Sequence, residues 1–217
     1  MNQLFKSVKI LIWDIDGTLY KMLPEIKALY REREYQVIMA HLGWPREKAV
    51  AKFLKMYPKL ISGTKTVSVI TGIPTKDVAI EAETLMTREK YLKSDVRLIQ
   101  LFEQLHKFTH YLLVNGIQSV TQKTLKILGL NPQIFQEIVT SEIVGENKPN
   151  PAGFQYILDK TKLPPKSHLM IGDREEVDLV PARQLGMKTC LVWSEKKSNI
   201  ADVTIKTVYE IADFLGF

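Results

Sequence analysis

A single cysteine, Cys190, among 217 residues excludes an intramolecular disulfide framework. Its place in the apolar run from Lys188 to Trp193 suits a small core residue better than a reactive thiol. No run approaches the roughly 18 consecutive apolar residues of a membrane span, and the first apolar stretch is cut by Asp14 before it could form the core of a secretory signal. Among the histidines His41, His106, His110 and His168 only His106 and His110 stand at HxxxH spacing, and a transition-metal site is not expected. Internal repeats and low-complexity tracts are lacking, as is a basic stripe interleaved with aromatics, so specific nucleic-acid binding is not expected. These absences lead to the expectation of a soluble, cytoplasmic protein with no membrane partner; no pattern specifies an oligomeric state.

What is present suits a globular chain. With 45% hydrophobic and 25% charged residues, it can bury a substantial core as one domain with an insertion. The net charge of +6 is unevenly spread: residues 20–94 hold 14 Lys and Arg against 8 Asp and Glu, and the remainder holds 16 against 16. Most of these charges read as a solvated helical surface, although a basic segment over an anion site would also focus phosphorylated ligands.

Apolar runs at Val8 to Trp13, His110 to Val114, Glu137 to Thr140, His168 to Gly172, Lys188 to Trp193 and Asp202 to Ile205 predict strands. Helical patterns lie between them. Leu98, Leu101, Phe102 and Leu105 recur at helical spacing, Gly129 and Gly186 stop helices, and Pro151 and Pro181 suit first turns. Such alternation predicts an α/β fold with a Rossmann-like, doubly wound parallel sheet. Residues 20–94 depart from it. Ile26, Leu29, Tyr30, Val37 and Ile38 outline one amphipathic helix, and Val78, Ala82, Leu85, Met86 and Leu92 another, with Gly43, Pro45, Pro58 and Gly63 punctuating shorter helices between. Val67 to Thr71 is the one stretch there that also reads as a short strand. Trp13 and Trp193 end predicted strands and are expected in the core or its rim, and Trp44 suits either an anchor of this segment or a cleft wall.

The chemistry is concentrated where apolar runs stop. Asp14-Ile15-Asp16-Gly17-Thr18 follows the first run, placing two carboxylates on one side of an extended chain, with Gly17 allowing a sharp turn. Asn115-Gly116 follows the second run, Lys148-Pro149-Asn150-Pro151 lies in a turn-forming string after the third, and Gly172-Asp173 with Asp178 follows the fourth. Each alone would pass for an ordinary turn or a solvated side chain. Four such turns at four strand ends in this order are a far more specific signal.

The pattern resembles the haloacid dehalogenase superfamily of aspartate-nucleophile phosphatases over residues 8 to about 193, with a pyrimidine 5′-nucleotidase-like or phosphoglycolate phosphatase-like branch closest in character. The resemblance implies an α/β core at 1–19 and 95–217 with a helical C1-type cap at 20–94 that folds over the site. It implies Asp14 as nucleophile, Asp16 as acid and base, and Lys148 as a fixed positive charge between nucleophile and phosphate. Asn115, Gly116 and Lys148 would bind phosphate, and Mg²⁺ would be held by Asp14, the main-chain carbonyl of Asp16, and Asp173. Asp178 would brace Lys148 or the water around the metal. The second motif departs from the family pattern. Val114 stands where most members carry a hydroxyl that binds the transferring phosphoryl group, and losing one such donor costs about 10²- to 10³-fold in rate in well-studied sites.

Asp16 favours phosphoryl chemistry over dehalogenation, because a halide leaves without a proton. The expected activity is Mg²⁺-dependent hydrolysis of a small phosphorylated metabolite, a nucleotide or a sugar phosphate, through an aspartyl-phosphate. A catalytically weak or inactive phosphate-binding protein, supported by Val114, and a phosphomutase remain the alternatives.

Overall fold

The computed structural model describes residues 3–84 and 87–217. Chain order is β1 (Ile10–Trp13), α1 (Pro24–Leu42), α2 (Arg46–Leu60), α3 (Gly63–Thr71), α4 (Thr75–Thr84), α5 (Val96–Gln104), β2 (Thr109–Leu113), α6 (Gln118–Ile127), β3 (Phe135–Val139), α7 (Ser141–Val144), α8 (Ala152–Thr161), β4 (His168–Gly172), α9 (Val180–Gln184), β5 (Lys188–Leu191), β6 (Val203–Thr204) and α10 (Ile211–Leu215).

The six strands form one parallel sheet in the order β3-β2-β1-β4-β5-β6. β1 is fully buried because both faces are covered, and its side chains alternate between them. Leu11 and Trp13 join one apolar cluster with Phe102, Leu112 and Ile171, whereas Ile10 and Ile12 join another with Leu113, Phe154 and Met170. This two-sided burial is why the strand reads as an unbroken apolar run rather than an alternating one. The strand order reverses direction beside β1, and a cleft opens beyond the carboxyl ends at such a switch point.

Helices α1 to α4 lie between β1 and β2 and bury an apolar cluster of their own. Tyr35, Ile38, Phe53, Val67 and Val78 are at its centre. Val67 to Thr71 is helical, as part of α3, where Ser62 caps the first turn by accepting from the Lys65 N–H. Pro58 does not separate two helices but sits in the last turn of α2, where the chain is about to leave the helix at Ile61. The second predicted insertion helix is shorter than its apolar pattern: α4 ends at Thr84, and Leu92 lies outside any helix. Leu85 and Met86 fall outside the described residues. Leu92 instead packs against the main core, which explains its apolar character without a helix.

Two strand ends also differ from expectation. β5 stops at Leu191, and Trp193 takes a left-handed backbone conformation (φ 58°) with its indole N–H donating to the Thr18 carbonyl at 2.9 Å. β6 is two residues long because only Val203 and Thr204 pair with β5. No helix among the described residues is long and apolar enough to cross a membrane.

Candidate active site

Three adjacent strands deliver the acidic and amide groups. Asp14 follows β1, and its N–H extends the ladder to the Ile171 carbonyl at 3.0 Å; Asn115 follows β2, and Asp173 follows β4. The chain then turns away from Asp14 through Gly17, whose φ is +94° and whose position leaves no room for a side chain. A Cβ there would come within 2.5 Å of Asp173 Oδ2. The motif glycine thus keeps two strand-end carboxylates close together.

Lys148 links the group. Its ammonium lies 2.7 Å from Asp14 Oδ1 and 2.7 Å from Asp178 Oδ1, and the residue is 2% exposed. Burial alone would lower its pKa, but the two carboxylates raise it above the ordinary lysine value, so the ammonium stays charged. Thr18 donates its hydroxyl to Asp14 Oδ2 at 3.1 Å, so both oxygens of Asp14 are oriented. Asp178 Oδ2 accepts the Arg174 main-chain N–H at 3.2 Å.

Asp173 is the member without an ion pair among the described residues. Its Oδ1 is buried without a hydrogen-bond partner, and burial, followed by the charges of Asp14 and Asp178, pushes its pKa up to about 8. Oxygens of Asp14, Asp173 and Asp178 lie within 4.8 Å of one another. Clustered, buried carboxylate oxygens, with Asp173 Oδ1 lacking any partner, fit a hard divalent cation, which would supply the charge the protein lacks there. Asp178 belongs to this cluster, and its oxygens meet Lys148 and Arg174 as those of Asp14 meet Lys148 and Thr18, which leaves Asp173 the member with no ion pair among the described residues.

The second motif is placed differently from a simple phosphate cradle. The Asn115 side chain pairs in both directions with the Lys148 main chain, donating to its carbonyl at 2.8 Å and accepting its N–H at 2.7 Å. Its side chain therefore holds the lysine loop against β2. The N–H groups of Asn115 and Gly116 find no acceptor among the described residues and remain free for an anion. Val114 is buried on the Leu112 and Leu125 face of the core.

Asp16 turns toward the helical insertion. Its carboxylate accepts the hydroxyls of Tyr20 and Tyr30, the latter at 2.5 Å, and pairs with Arg88 Nη1 at 2.6 Å. Arg88 also donates to Tyr30, reaches Glu83 Oε2 at 2.9 Å and donates Nε to Thr124 Oγ1 at 3.2 Å. Burial raises the Glu83 carboxyl to about 7 against the pull of Arg88, and it raises both phenols well above the ordinary tyrosine value. Sequence reasoning missed Tyr20, Tyr30, Glu83 and Arg88. Tyr30 carried only an apolar helical signal, and Arg88 was one cation in a basic segment; neither pattern points to a partner in another part of the chain.

A cavity of about 380 Å³ runs from Asp14, Asp16 and Asp173 to Tyr30, Tyr57 and Ser62 of the insertion. A wider opening of about 610 Å³ meets it at Asp173 and Arg174. Trp44 is on neither wall; it packs against the insertion's own cluster, with the Lys48 ammonium 4.2 Å from its ring centre.

The profile of the haloacid dehalogenase-like hydrolases matches residues 8–186. Glyceraldehyde 3-phosphate phosphatase of Methanocaldococcus jannaschii is 25% identical over 96% of this chain and 97% of its own length. Phosphoglycolate phosphatase of Aliivibrio fischeri is 25% identical over 84% of this chain and 83% of its own. A phosphatase structure from Thermococcus onnurineus superposes with a TM-score of 0.68 at 22% identity, covering 96% of this chain and 98% of that one.

Proposed function

The chain belongs to the haloacid dehalogenase-like hydrolase family, and from that premise we propose that it is a Mg²⁺-dependent phosphatase of a small phosphomonoester, working through an aspartyl-phosphate on Asp14. The observation that carries this reading is the buried contact of Lys148 with both Asp14 and Asp178, set beside the unpartnered Asp173 oxygen. That much charge is costly to bury for packing alone. Relatives named as phosphatases of small phosphorylated compounds support the substrate class.

In this reading Asp14, Asp173 and the Asp16 main-chain carbonyl would hold Mg²⁺, which would supply positive charge to the phosphoryl oxygens. A carboxylate oxygen of Asp14 attacks phosphorus, forming the aspartyl-phosphate bond as the bond to the leaving oxygen breaks. Asp16 delivers a proton to that oxygen. It then takes a proton from the water that attacks phosphorus, which releases inorganic phosphate and restores Asp14. Lys148 steadies Asp14 and the incoming anion, and the N–H groups of Asn115 and Gly116 donate to phosphoryl oxygens. Residues 20–94 serve as a cap that closes the cleft and limits water.

The test is release of inorganic phosphate from an aryl phosphate with and without Mg²⁺. Native protein should turn over, EDTA should stop it, and Asp14→Asn should be inactive while still folded. Val114 favours a second reading, a phosphate-binding protein without turnover. Folded, Mg²⁺-loaded native protein that is inactive on aryl, sugar and nucleotide phosphates, beside an active Val114→Thr, would establish that alternative. A phosphomutase would instead yield an isomerised sugar phosphate.

A further inference from the structure

Three donors from three different segments hold the Asp16 side chain. Tyr20, in the loop between β1 and α1, donates its hydroxyl to Oδ1. Tyr30 of α1 donates to Oδ2 at 2.5 Å, and Arg88, beyond α4, donates Nη1 to the same oxygen at 2.6 Å. Arg88 Nη1 also donates to the Tyr30 hydroxyl, and the rest of its guanidinium is committed to Glu83 and Thr124. Arg88 and Tyr20 are buried, whereas Asp16 and Tyr30 line the 380 Å³ cavity. The carboxylate is thus held on its buried side and reached from the cavity.

We infer that Tyr30 and Arg88 are positioning residues for proton transfer: they hold Asp16 where it protonates the leaving oxygen, and so extend the reaction to esters whose leaving group is a strong base. The inference rests on the phosphatase reading and assigns a task to two residues that no motif marks. A carboxylate on a loop is free to rotate, yet proton transfer demands a heavy-atom contact of about 2.6–3.2 Å, and a misplacement of about 1 Å can cost about 10²-fold in rate. Oδ2 already accepts two donors, whereas Oδ1 accepts only Tyr20 among the described residues, which leaves Oδ1 as the oxygen that carries the proton. As the bond between phosphorus and the leaving oxygen breaks, that proton passes from Oδ1 to the leaving oxygen, and the carboxylate left behind gains charge. Arg88 and the two phenols are already aimed at it, so this charge is met without rearrangement. Tyr30 stands on the insertion's wall of the cavity, so the wall that faces the leaving group also sets the acid.

The experiment compares kcat/KM, in Mg²⁺, for 4-nitrophenyl phosphate, whose leaving group departs as a stable anion, and for benzyl phosphate, of similar size, whose alkoxide needs a proton. This parameter reports only the steps through the first phosphoryl transfer, so the base role of Asp16 in the second does not enter. Native protein should hydrolyse both esters. Tyr30→Phe, which removes one hydroxyl, and Arg88→Lys should each lower the benzyl value about tenfold or more, part of the about 10²- to 10⁴-fold that a positioned acid contributes, and the nitrophenyl value by less than about threefold. In an Asp16→Asn background, Tyr30→Phe should change neither value. A network that serves only stability would slow both esters alike. An equal loss on the two esters or an unchanged benzyl value in either folded variant, a further selective loss from Tyr30→Phe in Asp16→Asn, or native hydrolysis of the nitrophenyl ester alone would overturn the inference. Hydrolysis of neither ester by native protein overturns the phosphatase reading and this inference with it, whereas hydrolysis of both with unselective variants overturns this inference alone.

Discussion

Arg88 donates to Asp16 across 72 positions of sequence, at 2.6 Å, from the end of the helical insertion to the loop that follows the first strand. The same guanidinium holds Glu83 of α4 and Thr124 of α6. One buried side chain therefore ties the insertion to the core at the residue assigned the proton-transfer role. The consequence for stability is direct.

Replacing Arg88 with Met would leave Glu83 and Asp16 without their cation in a buried setting. Breaking such a pair costs about 3–5 kcal/mol. Urea denaturation should show a loss of that size, with a smaller loss for Arg88→Lys, which keeps the charge but not the fork. A loss below about 1 kcal/mol for Arg88→Met would show that the network contributes little.

Gly17→Ala should disable the metal site before it disables the fold. The new Cβ would meet Asp173 Oδ2 at 2.5 Å, and the residue's φ of +94° is unfavourable for any side chain. Displacing that carboxylate should weaken Mg²⁺ binding by about 10- to 100-fold, the range for a disturbed ligand environment. Mg²⁺-dependent elevation of the thermal midpoint reads this out, because a ligand at about 100 times its Kd adds roughly 2.7 kcal/mol to stability. An elevation equal to the native protein's would contradict the crowding argument.

Val114→Thr tests the missing hydroxyl. Val114 is 3% exposed at the end of a buried strand, so the added hydroxyl should cost about 1–3 kcal/mol of stability unless it reaches a partner. If it points to the phosphoryl position, turnover should rise about 10²-fold or more, the lower side of what one donor contributes. Stability and kcat measured on the same preparation separate the two effects. A less stable protein with unchanged kcat would show that the hydroxyl points into the core.

His110 predicts an acid-side loss of stability. Its ring accepts the Trp13 indole N–H at 3.1 Å and faces the Leu105 carbonyl at 3.1 Å, and burial pushes its pKa down from the ordinary 6.5 to about 4. Between those values the unfolded chain binds a proton that the folded one refuses. This contribution is fully present above about pH 6.5 and is lost as pH falls toward about 4, amounting to about 3 kcal/mol. Unfolding free energy followed over that window should show the slope, and His110→Gln, which keeps an acceptor for Trp13, should flatten it.

The six strand positions, and the acidic and amide groups at their ends, were legible from sequence because a strand buried on both faces must be apolar and its end must announce itself with polarity. Asp14, Asn115 and Asp173 stand out in that way, whereas Lys148 lies beyond α7 in a proline-rich turn. The same logic failed where the signal was not local. Arg88 and Glu83 look like surface charges of a basic helical segment, Tyr30 looks like an apolar helix position, and Leu92 continues a helical pattern although it packs on the core beyond the helix. Arg174 reads as the entry to a solvated helix until the cleft is seen around it. Local periodicity and turn chemistry determined that this chain makes a parallel sheet with charge at its strand ends, since both depend on near neighbours along the backbone. Which charges meet and which are buried were decided only by the insertion folding back over the sheet, because Coulomb and desolvation energies depend on distances through space rather than along the chain.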